Sequence, residues 1–273
     1  MLDNEAIIEV KGVRQAFGSH VVLDNLHFEV KRGESVAILG GSGSGKSTLL
    51  RTIVGLKKPE QGMVRLFGVD PYDRGPTGIG RMRERIGMAF QAGALFGSMT
   101  VAENVEMPLV EFTDLPASTR EIIVKIKLAL VGLAAAAEQL PSELSGGMIK
   151  RAALARAMAL DPEILFFDEP SAGLDPITAA EIDQLILELK EVFEVTLVVV
   201  THELTSAFLV ADRIALMHAG KFLIIGTPEE VRSCPNPIVR RFLQREPEDQ
   251  ERGGPSGLME WLGHSGIQGT TNE

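Results

Sequence analysis

Short apolar runs alternate with helical patterns along most of the chain. The runs are rich in β-branched residues, and several are apolar on both faces, as in parallel strands that helices cover on both sides. The predicted strands are 7–10, 36–39, 86–90, 164–167, 195–201, 213–217 and 221–225. Between residues 181 and 193, apolar side chains recur at helical spacing with charged ones between them, which predicts an amphipathic helix. The alternation favours an α/β fold.

Two regions depart from this alternation. Residues 100–160 contain helical patterns, such as 119–131, and almost no strand signal, which predicts a helical insert. Residues 245–257 are charged and then rich in Gly, Pro and Ser, which is typical of a linker. The apolar residues after it, including Trp261, indicate either a frayed terminus or a short peptide that docks on a neighbouring subunit.

Composition narrows the class of protein. Apolar residues make up 45% of the chain and charged residues 23%, which suits a soluble globular fold. The net charge of −10 makes binding along a nucleic-acid backbone a poor hypothesis. A single cysteine, Cys234, excludes an internal disulfide. No run reaches the roughly 18–20 apolar residues of a membrane span, and the acidic N-terminus does not resemble a signal peptide. We therefore expect a cytoplasmic chain that meets membranes only through a partner.

A glycine-rich segment predicts a phosphate site. It fits the pattern G-x-x-x-x-G-K-[ST] and lies between the predicted strand 36–39 and a helical pattern at 48–53. Its residues are Gly40, Gly41, Ser42, Gly43, Ser44, Gly45, Lys46 and Ser47. Glycines allow backbone amides to converge on phosphate oxygens, and the helix that follows directs its positive end at them. Lys46 can reach the β- and γ-phosphates, and Ser47 can bind Mg²⁺.

Two acids follow another predicted strand. Asp168 and Glu169 come directly after 164–167. Ligands in open α/β sheets bind beyond the carboxyl ends of the strands, so Asp168 can bind Mg²⁺ and Glu169 can act as general base on a water. Two acids at a strand end are often only a solvated turn. The functional interpretation of this pair is strong only in combination with the phosphate loop.

Further motifs carry a resemblance to a known family. Leu144 to Met148 are LSGGM, residues 171–175 are SAGLD, and Thr201 precedes His202. Together with the loop and the acids, this ordered set resembles the nucleotide-binding subunit of ATP-binding cassette (ABC) transporters over residues 6 to about 230. The resemblance implies a P-loop NTPase α/β fold: a RecA-like mixed sheet, an N-terminal antiparallel β region and a helical subdomain at about 95–160. It also implies an ATP-binding domain over 1–244, with 245–273 as linker and tail.

The same resemblance implies roles for individual residues, with ATP and Mg²⁺ as cofactors. Lys46, Glu169 and His202 would be catalytic, and His202 would contact the γ-phosphate. Phe17 would stack on the adenine, and Thr48 would complete the phosphate loop. Gln91 would join Ser47 and Asp168 at Mg²⁺ and sense a membrane partner. Alternatively, Phe17 is an edge aromatic, Gln91 caps a strand and His202 is a surface histidine.

The LSGGM segment predicts a second phosphate site. Ser145, Gly146 and Gly147 precede a helical stretch at 149–160, so small residues lie at a helix N-terminus. In the family this site completes the phosphate loop of a second protomer, which implies a homodimer with two ATP molecules at its interface. The commonest signature has Gln where this chain has Met148, so we expect weakened or retuned nucleotide coupling with hydrolysis retained.

Three stretches, 90–109, 141–170 and 173–178, closely resemble the ATPase of Mla-type (MCE) phospholipid transporters. This implies a peripheral location on the cytoplasmic face of the inner membrane. The implied partners are a membrane permease, an MCE-domain lipid-binding protein and a possible STAS-domain regulator. A permease-facing groove would follow Gln91, with Leu95, Phe96 and Met99 as plausible contacts or as ordinary core.

Two alternatives remain open at this point. The chain could serve another ABC solute importer, or it could be a soluble ABC-type ATPase that acts on ribosomes or DNA. The acidic charge and the single cassette count against the second alternative. The basic spots at 57–58, 81–85 and 150–151 are isolated, and we interpret them as solvated faces and expect no nucleic-acid partner.

Overall fold

The structure is a computed structural model that describes residues 6–73 and 79–246, with side chains from residue 82 onward in the second range. The chain divides into two compact units, the first ending at Cys234 and the second beginning at Pro235. The linker and docking peptide predicted over 245–273 lie, beyond Glu246, outside the described residues.

Strands and helices alternate as the pattern predicts. The strands are β1 (Ala6–Phe17), β2 (His20–Lys31), β3 (Ser35–Gly40), β4 (Gln61–Leu66), β5 (Ile86–Ala89), β6 (Ile164–Asp168), β7 (Thr196–Thr201), β8 (Arg213–His218) and β9 (Lys221–Gly226). The α-helices are α1 (Lys46–Ile53), α2 (Ile79–Glu84), α3 (Val101–Phe112), α4 (Ala117–Leu130), α5 (Gly146–Ala157), α6 (Pro176–Phe193), α7 (Leu204–Val210), α8 (Pro228–Arg232) and, in the second unit, α9 (Pro237–Gln244). Short 3-10 helices lie at Ala134–Ala136 and Pro141–Glu143.

The strands form two sheets. An antiparallel sheet has the order β2-β1-β4, and a six-stranded sheet has the order β5-β6-β7-β3-β8-β9. In the larger sheet β5, β6, β7, β3 and β8 are parallel, and β9 is antiparallel to β8. This confirms the predicted α/β fold with a mixed sheet and an N-terminal antiparallel region.

The pattern missed β2 and β4 for a physical reason. In β2 the buried positions include Leu23 and Leu26, so the alternation shifts by one residue where Asn25 takes a left-handed conformation with φ 53°. A period-2 search fails across such an irregularity because the side chains change faces there. In β4 only Val64 and Leu66 are buried, which is too short an apolar signal.

Helix boundaries follow their caps. The predicted helix 181–193 begins earlier, at Pro176, because the Asp175 side chain accepts hydrogen bonds from the amides of Ile177 and Thr178, both at 3.1 Å. Likewise α5 begins at Gly146, since the Ser145 hydroxyl accepts from Met148 N at 3.3 Å.

The helix predicted over 119–131 is confirmed as α4. Its apolar residues, however, lie on two faces of the helix. Val124 and Leu128 are buried, whereas Ile122 and Ile126 are more than half exposed. The face that packs on the core therefore excludes two of the isoleucines that produced the pattern.

The core lies on both faces of the larger sheet. In β6, Ile164 and Phe166 pack with the antiparallel sheet and α1, whereas Leu165 and Phe167 pack with the helical region. Helices and sheet thus cover both faces, as the two-sided apolar strands predict. The arrangement places the carboxyl ends of β3, β6 and β7 side by side, because these strands are neighbours and parallel. Among the described residues no helix is long and apolar enough to cross a membrane.

A buried asparagine holds the start of the helical region. Asn104 in α3 is fully buried; its amide donates to the carbonyls of Phe96 at 3.1 Å, Met99 at 3.2 Å and Thr100 at 2.9 Å, and its Oδ1 accepts from Phe96 N at 2.8 Å. The Asn104 side chain thus makes hydrogen bonds to the main chain of three residues in the segment that precedes α3.

Asn104→Ala should lower the free energy of unfolding by about 1–3 kcal/mol, because it removes the hydrogen bonds of this fully buried side chain to the main chain of Phe96, Met99 and Thr100. Chemical denaturation without nucleotide measures this. Glu111→Ala, at an exposed position of the same helix, is the matched control. Equal stability of the two variants would contradict the role given to Asn104.

Candidate active site

The glycine-rich loop connects β3 to α1, as predicted. Gly45 has φ 106°, and a Cβ there would lie 2.7 Å from the carbonyl oxygen of Val22. No other residue fits both that conformation and that space. The Lys46 ammonium donates to the carbonyls of Gly40 at 2.8 Å and Gly41 at 3.0 Å, so the lysine lies along its own loop.

Lys46 is a buried cation, with 7% of its surface exposed. Burial lowers the pKa of its ammonium, and the negative charges of Glu169 and Asp168 oppose that shift. The two acids thus favour the charged form of the lysine in a desolvated place.

Two oxygen ligands for a cation meet beside the lysine. The Ser47 hydroxyl, at the start of α1, lies 3.4 Å from Asp168 Oδ1, at the end of β6. Burial, together with the charge of Glu169, raises the pKa of the Asp168 carboxyl. Mg²⁺ takes oxygen ligands and is commonly held by one or two protein groups plus phosphates, so the residues present fit this ion.

Glu169 has an uncommon main-chain conformation at the end of β6. Its φ is +54°, in the left-handed region, and its amide donates to Val200 O at 2.8 Å. The carboxylate accepts from the Thr201 hydroxyl at 3.1 Å and lies 2.9 Å from His202 Nδ1. The structure therefore brings Glu169 and His202 together, although 33 positions separate them along the chain.

Two of the residues predicted to contact ATP or Mg²⁺ are exposed on the surface of the protein. Phe17 ends β1, is 51% exposed, and has the Lys57 ammonium 4.8 Å from its ring centre. The exposed Gln91 follows β5, and its main-chain carbonyl accepts a hydrogen bond from Lys150. The adenine role of Phe17 and the magnesium role of Gln91 stay predictions.

The LSGGM segment begins α5 with small residues, as predicted. A Cβ on Gly147 would lie 2.6 Å from Thr178 Cγ2, so α6 approaches too closely for a larger residue. The Met148 side chain is partly buried and packs against the core of the helical region. The contact of Ser145, Gly146 and Gly147 with a partner's nucleotide stays a prediction.

The interpretation of 150–151 as a solvated face is wrong for Lys150. Its ammonium donates to the main-chain carbonyls of Gln91 and Glu169, the latter at 2.9 Å. Arg156, on the same helix, is 9% exposed and donates to the carbonyls of Gly93 at 2.9 Å and Ala94 at 2.7 Å. No pattern in a single sequence marks these two cations, because their partners are main-chain atoms distant along the chain.

A model of the ABC transporter family matches residues 23–172. The intermembrane phospholipid transport system ATP-binding protein MlaF of Haemophilus influenzae is 42% identical over 243 residues, 89% of this chain and 92% of that protein. MlaF of Escherichia coli K12 is 41% identical, over 87% of this chain and 88% of that one. The probable ribonucleotide transport ATP-binding protein mkl of Mycobacterium leprae is 38% identical, over 93% of this chain and 72% of that protein.

Solved structures agree with the fold. The ATP-binding cassette MJ0796, dimeric and bound to ADP and Pi in a post-hydrolysis state, superposes with a TM-score of 0.74 at 33% identity, over 81% of this chain and 98% of that one. For cbiO1 of Clostridium perfringens the TM-score is 0.77 at 31% identity, over 88% and 96%. The family match, the relatives and the neighbours show that this chain belongs to the ABC transporter family and is an ATPase that uses ATP with Mg²⁺.

Proposed function

We propose that this ATPase powers phospholipid transport between the inner and outer membranes, as the cytoplasmic subunit of a membrane complex. The observation that carries the proposal is the similarity to two MlaF proteins, which extends over nearly the whole length of both partners. A match of that extent is too long to be confined to the nucleotide-binding motifs.

The geometry of the site supports the residue roles that we propose. The amides of the loop bind the phosphates, and Lys46 exchanges its loop carbonyls for phosphate oxygens. Ser47 and Asp168 would hold Mg²⁺, which neutralises charge on the phosphates, with Gln91 as a further ligand. Phe17 stacks on the adenine, since its exposed ring ends β1.

Glu169 accepts a proton from the attacking water. Its carboxylate is held by the Thr201 hydroxyl and lies beside His202, so it has a defined direction at the end of β6. His202 is half exposed and can turn its imidazole toward the γ-phosphate. Phosphoryl transfer needs positioned charge and an oriented water, and these residues supply both.

The site is completed by a second copy of the chain. Ser145, Gly146 and Gly147 of the second copy present the N-terminus of α5 to the phosphates. The dimeric state of the solved MJ0796 cassette, which is similar over most of this chain, supports this arrangement. ATP then closes the dimer, and hydrolysis removes the contacts that hold it.

We assign the cleft beside Gln91 to contact with the permease. It has a volume of about 310 Å³ and a mostly apolar lining that includes Met88, Phe90, Phe96 and Met107. Of the three contacts expected from the sequence, Phe96 lines it and is 49% exposed. Leu95 packs on the helical core, and Met99 is not among the lining residues. Through this cleft the chain would sit on the cytoplasmic face of the inner membrane, alongside an MCE-domain protein and a STAS-domain regulator in the same complex.

Glu169→Gln should lower turnover about 10²–10⁴-fold while ATP still binds, because only the proton acceptor is lost. Lys46→Ala should lose ATP binding itself. Steady-state ATPase assays and nucleotide titrations of the two variants separate these effects. Near-normal turnover of Glu169→Gln would remove that residue from the role of base.

Phe96→Glu should weaken assembly with the permease, since it places a charge in an apolar cleft. Co-purification of the complex from detergent-solubilised membranes measures this. The matched control is Val110→Glu, at a 55% exposed position of α3 that does not line the cleft. Equal recovery of the complex with both variants would show that the permease docks elsewhere.

The similarity to mkl favours ribonucleotides as a second candidate substrate. We expect phospholipids to co-purify with the complex and to stimulate its ATPase after reconstitution in vesicles. Mass spectrometry of the extracted ligands, and ATPase assays with added ribonucleotides, distinguish the two. Stimulation by ribonucleotides with no bound lipid would overturn the phospholipid proposal.

A further inference from the structure

Lys150 joins two segments that have separate tasks. It lies in α5, the helix that begins at the signature residues, and its ammonium donates to the carbonyl of Glu169 at 2.9 Å and to the carbonyl of Gln91. The bond to Glu169 is partly buried, whereas the bond to Gln91 lies at the surface. One side chain thus ties the loop after β5 to the residue after Asp168.

The main chain of Glu169 needs such support. A non-glycine residue at φ +54° is held in a sparsely populated conformation, which persists only where the surroundings determine it. Its amide is fixed by Val200 O at 2.8 Å, and its carbonyl accepts from Lys150 and, at 3.4 Å, from Ala172 N. The ammonium therefore makes the shorter of the two bonds that hold this carbonyl.

The loop after β5 packs directly on the same helix. A Cβ on Gly93 would lie 2.6 Å from Ile149 Cγ2, and Arg156 holds the carbonyls of Gly93 and Ala94. Ala94 also lines the apolar cleft beside Gln91. Residues 91–94 are therefore fixed to α5 at one end of the cleft. Of the three α5 side chains that contact them, Ile149, Lys150 and Arg156, it is Lys150 that also donates a hydrogen bond to Glu169.

The charges around Lys150 suit this task. Burial lowers the pKa of its ammonium, and the negative charges of Glu169 and Asp168 oppose that shift. A charged donor makes stronger hydrogen bonds to carbonyls than a neutral one. The bonds to the carbonyls of Gln91 and Glu169 are therefore charge-assisted hydrogen bonds when the ammonium is charged.

We propose that Lys150 is a positioning residue for hydrolysis: it fixes the main chain of Glu169 to residues 91–94, so that displacement of this segment at the cleft moves the catalytic carboxylate. The proposal rests on the proposed roles of Glu169 and of the cleft. It gives the LSGGM helix a second task besides phosphate binding, since the helix also carries the link between the cleft and the base.

The test compares Lys150→Met, Lys150→Arg and Lys125→Met in the full chain, alone and assembled with its permease. Lys125 is an exposed lysine of α4, so it controls for the loss of one positive charge. We expect Lys150→Met to lower kcat about tenfold or more with KM for ATP within about twofold, because a displaced base affects turnover rather than binding. Lys150→Arg keeps two charged donors and should restore most of kcat. In the complex, stimulation by the permease should fall as well.

Three results would overturn the proposal: a kcat of Lys150→Met close to wild type, a loss equal to that of Lys125→Met, or a loss confined to KM. If Lys150→Met does not fold, Lys150→Gln decides, and a wild-type kcat for it overturns the proposal equally. Glu169→Gln distinguishes failure of the role of Lys150 from failure of the assignment of Glu169 as the base. If it is inactive while Lys150→Met is normal, only the role of Lys150 fails; if it is active, the assignment of the base fails first.

Discussion

The site depends on two carboxylates buried together at the end of β6. Asp168 and Glu169 are each less than a tenth exposed, and two adjacent buried negative charges are costly unless cations or donors surround them. The groups around them include those to which we assign the chemistry: the ammonium of Lys46, the hydroxyls of Ser47 and Thr201, and the imidazole of His202. In the proposed mechanism, the atoms that balance these two charges are also the atoms that carry out hydrolysis.

Parallel strands supply the precision of this arrangement. Leu39 pairs with Thr201, and Asp168 pairs with Val200, so the phosphate loop, the acids and the histidine all leave the sheet at one edge. Core residues on both faces of β6 fix the strand that carries the acids. The loops that carry the candidate catalytic groups acquire their geometry from the buried sheet beneath them.

Local chemistry was predictable from the sequence, and long-range contacts were not. The loop from Gly40 to Ser47 and the acids after β6 follow from motifs whose physics is contained in a few neighbouring residues. The irregular pairing of β2 around Asn25 escaped detection because it interrupts the period that identifies a strand. Lys150 escaped for a different reason: its partners are main-chain carbonyls, which every residue has, so no residue type reveals them. The distance between Glu169 and His202 depends on strand register, which a motif does not contain.

The hydrogen bonds of Lys46 to its own loop have a consequence for nucleotide affinity. The ammonium has already left water and already has acceptors at 2.8 and 3.0 Å when a triphosphate arrives. The free-energy cost of desolvating this cation therefore falls on folding of the protein and not on nucleotide binding. The lysine side chain also has little rotamer freedom left to lose when nucleotide binds. In the proposed role of Lys46, phosphate oxygens replace neutral carbonyls as charged acceptors, so each hydrogen bond would become stronger with almost no further loss of side-chain freedom.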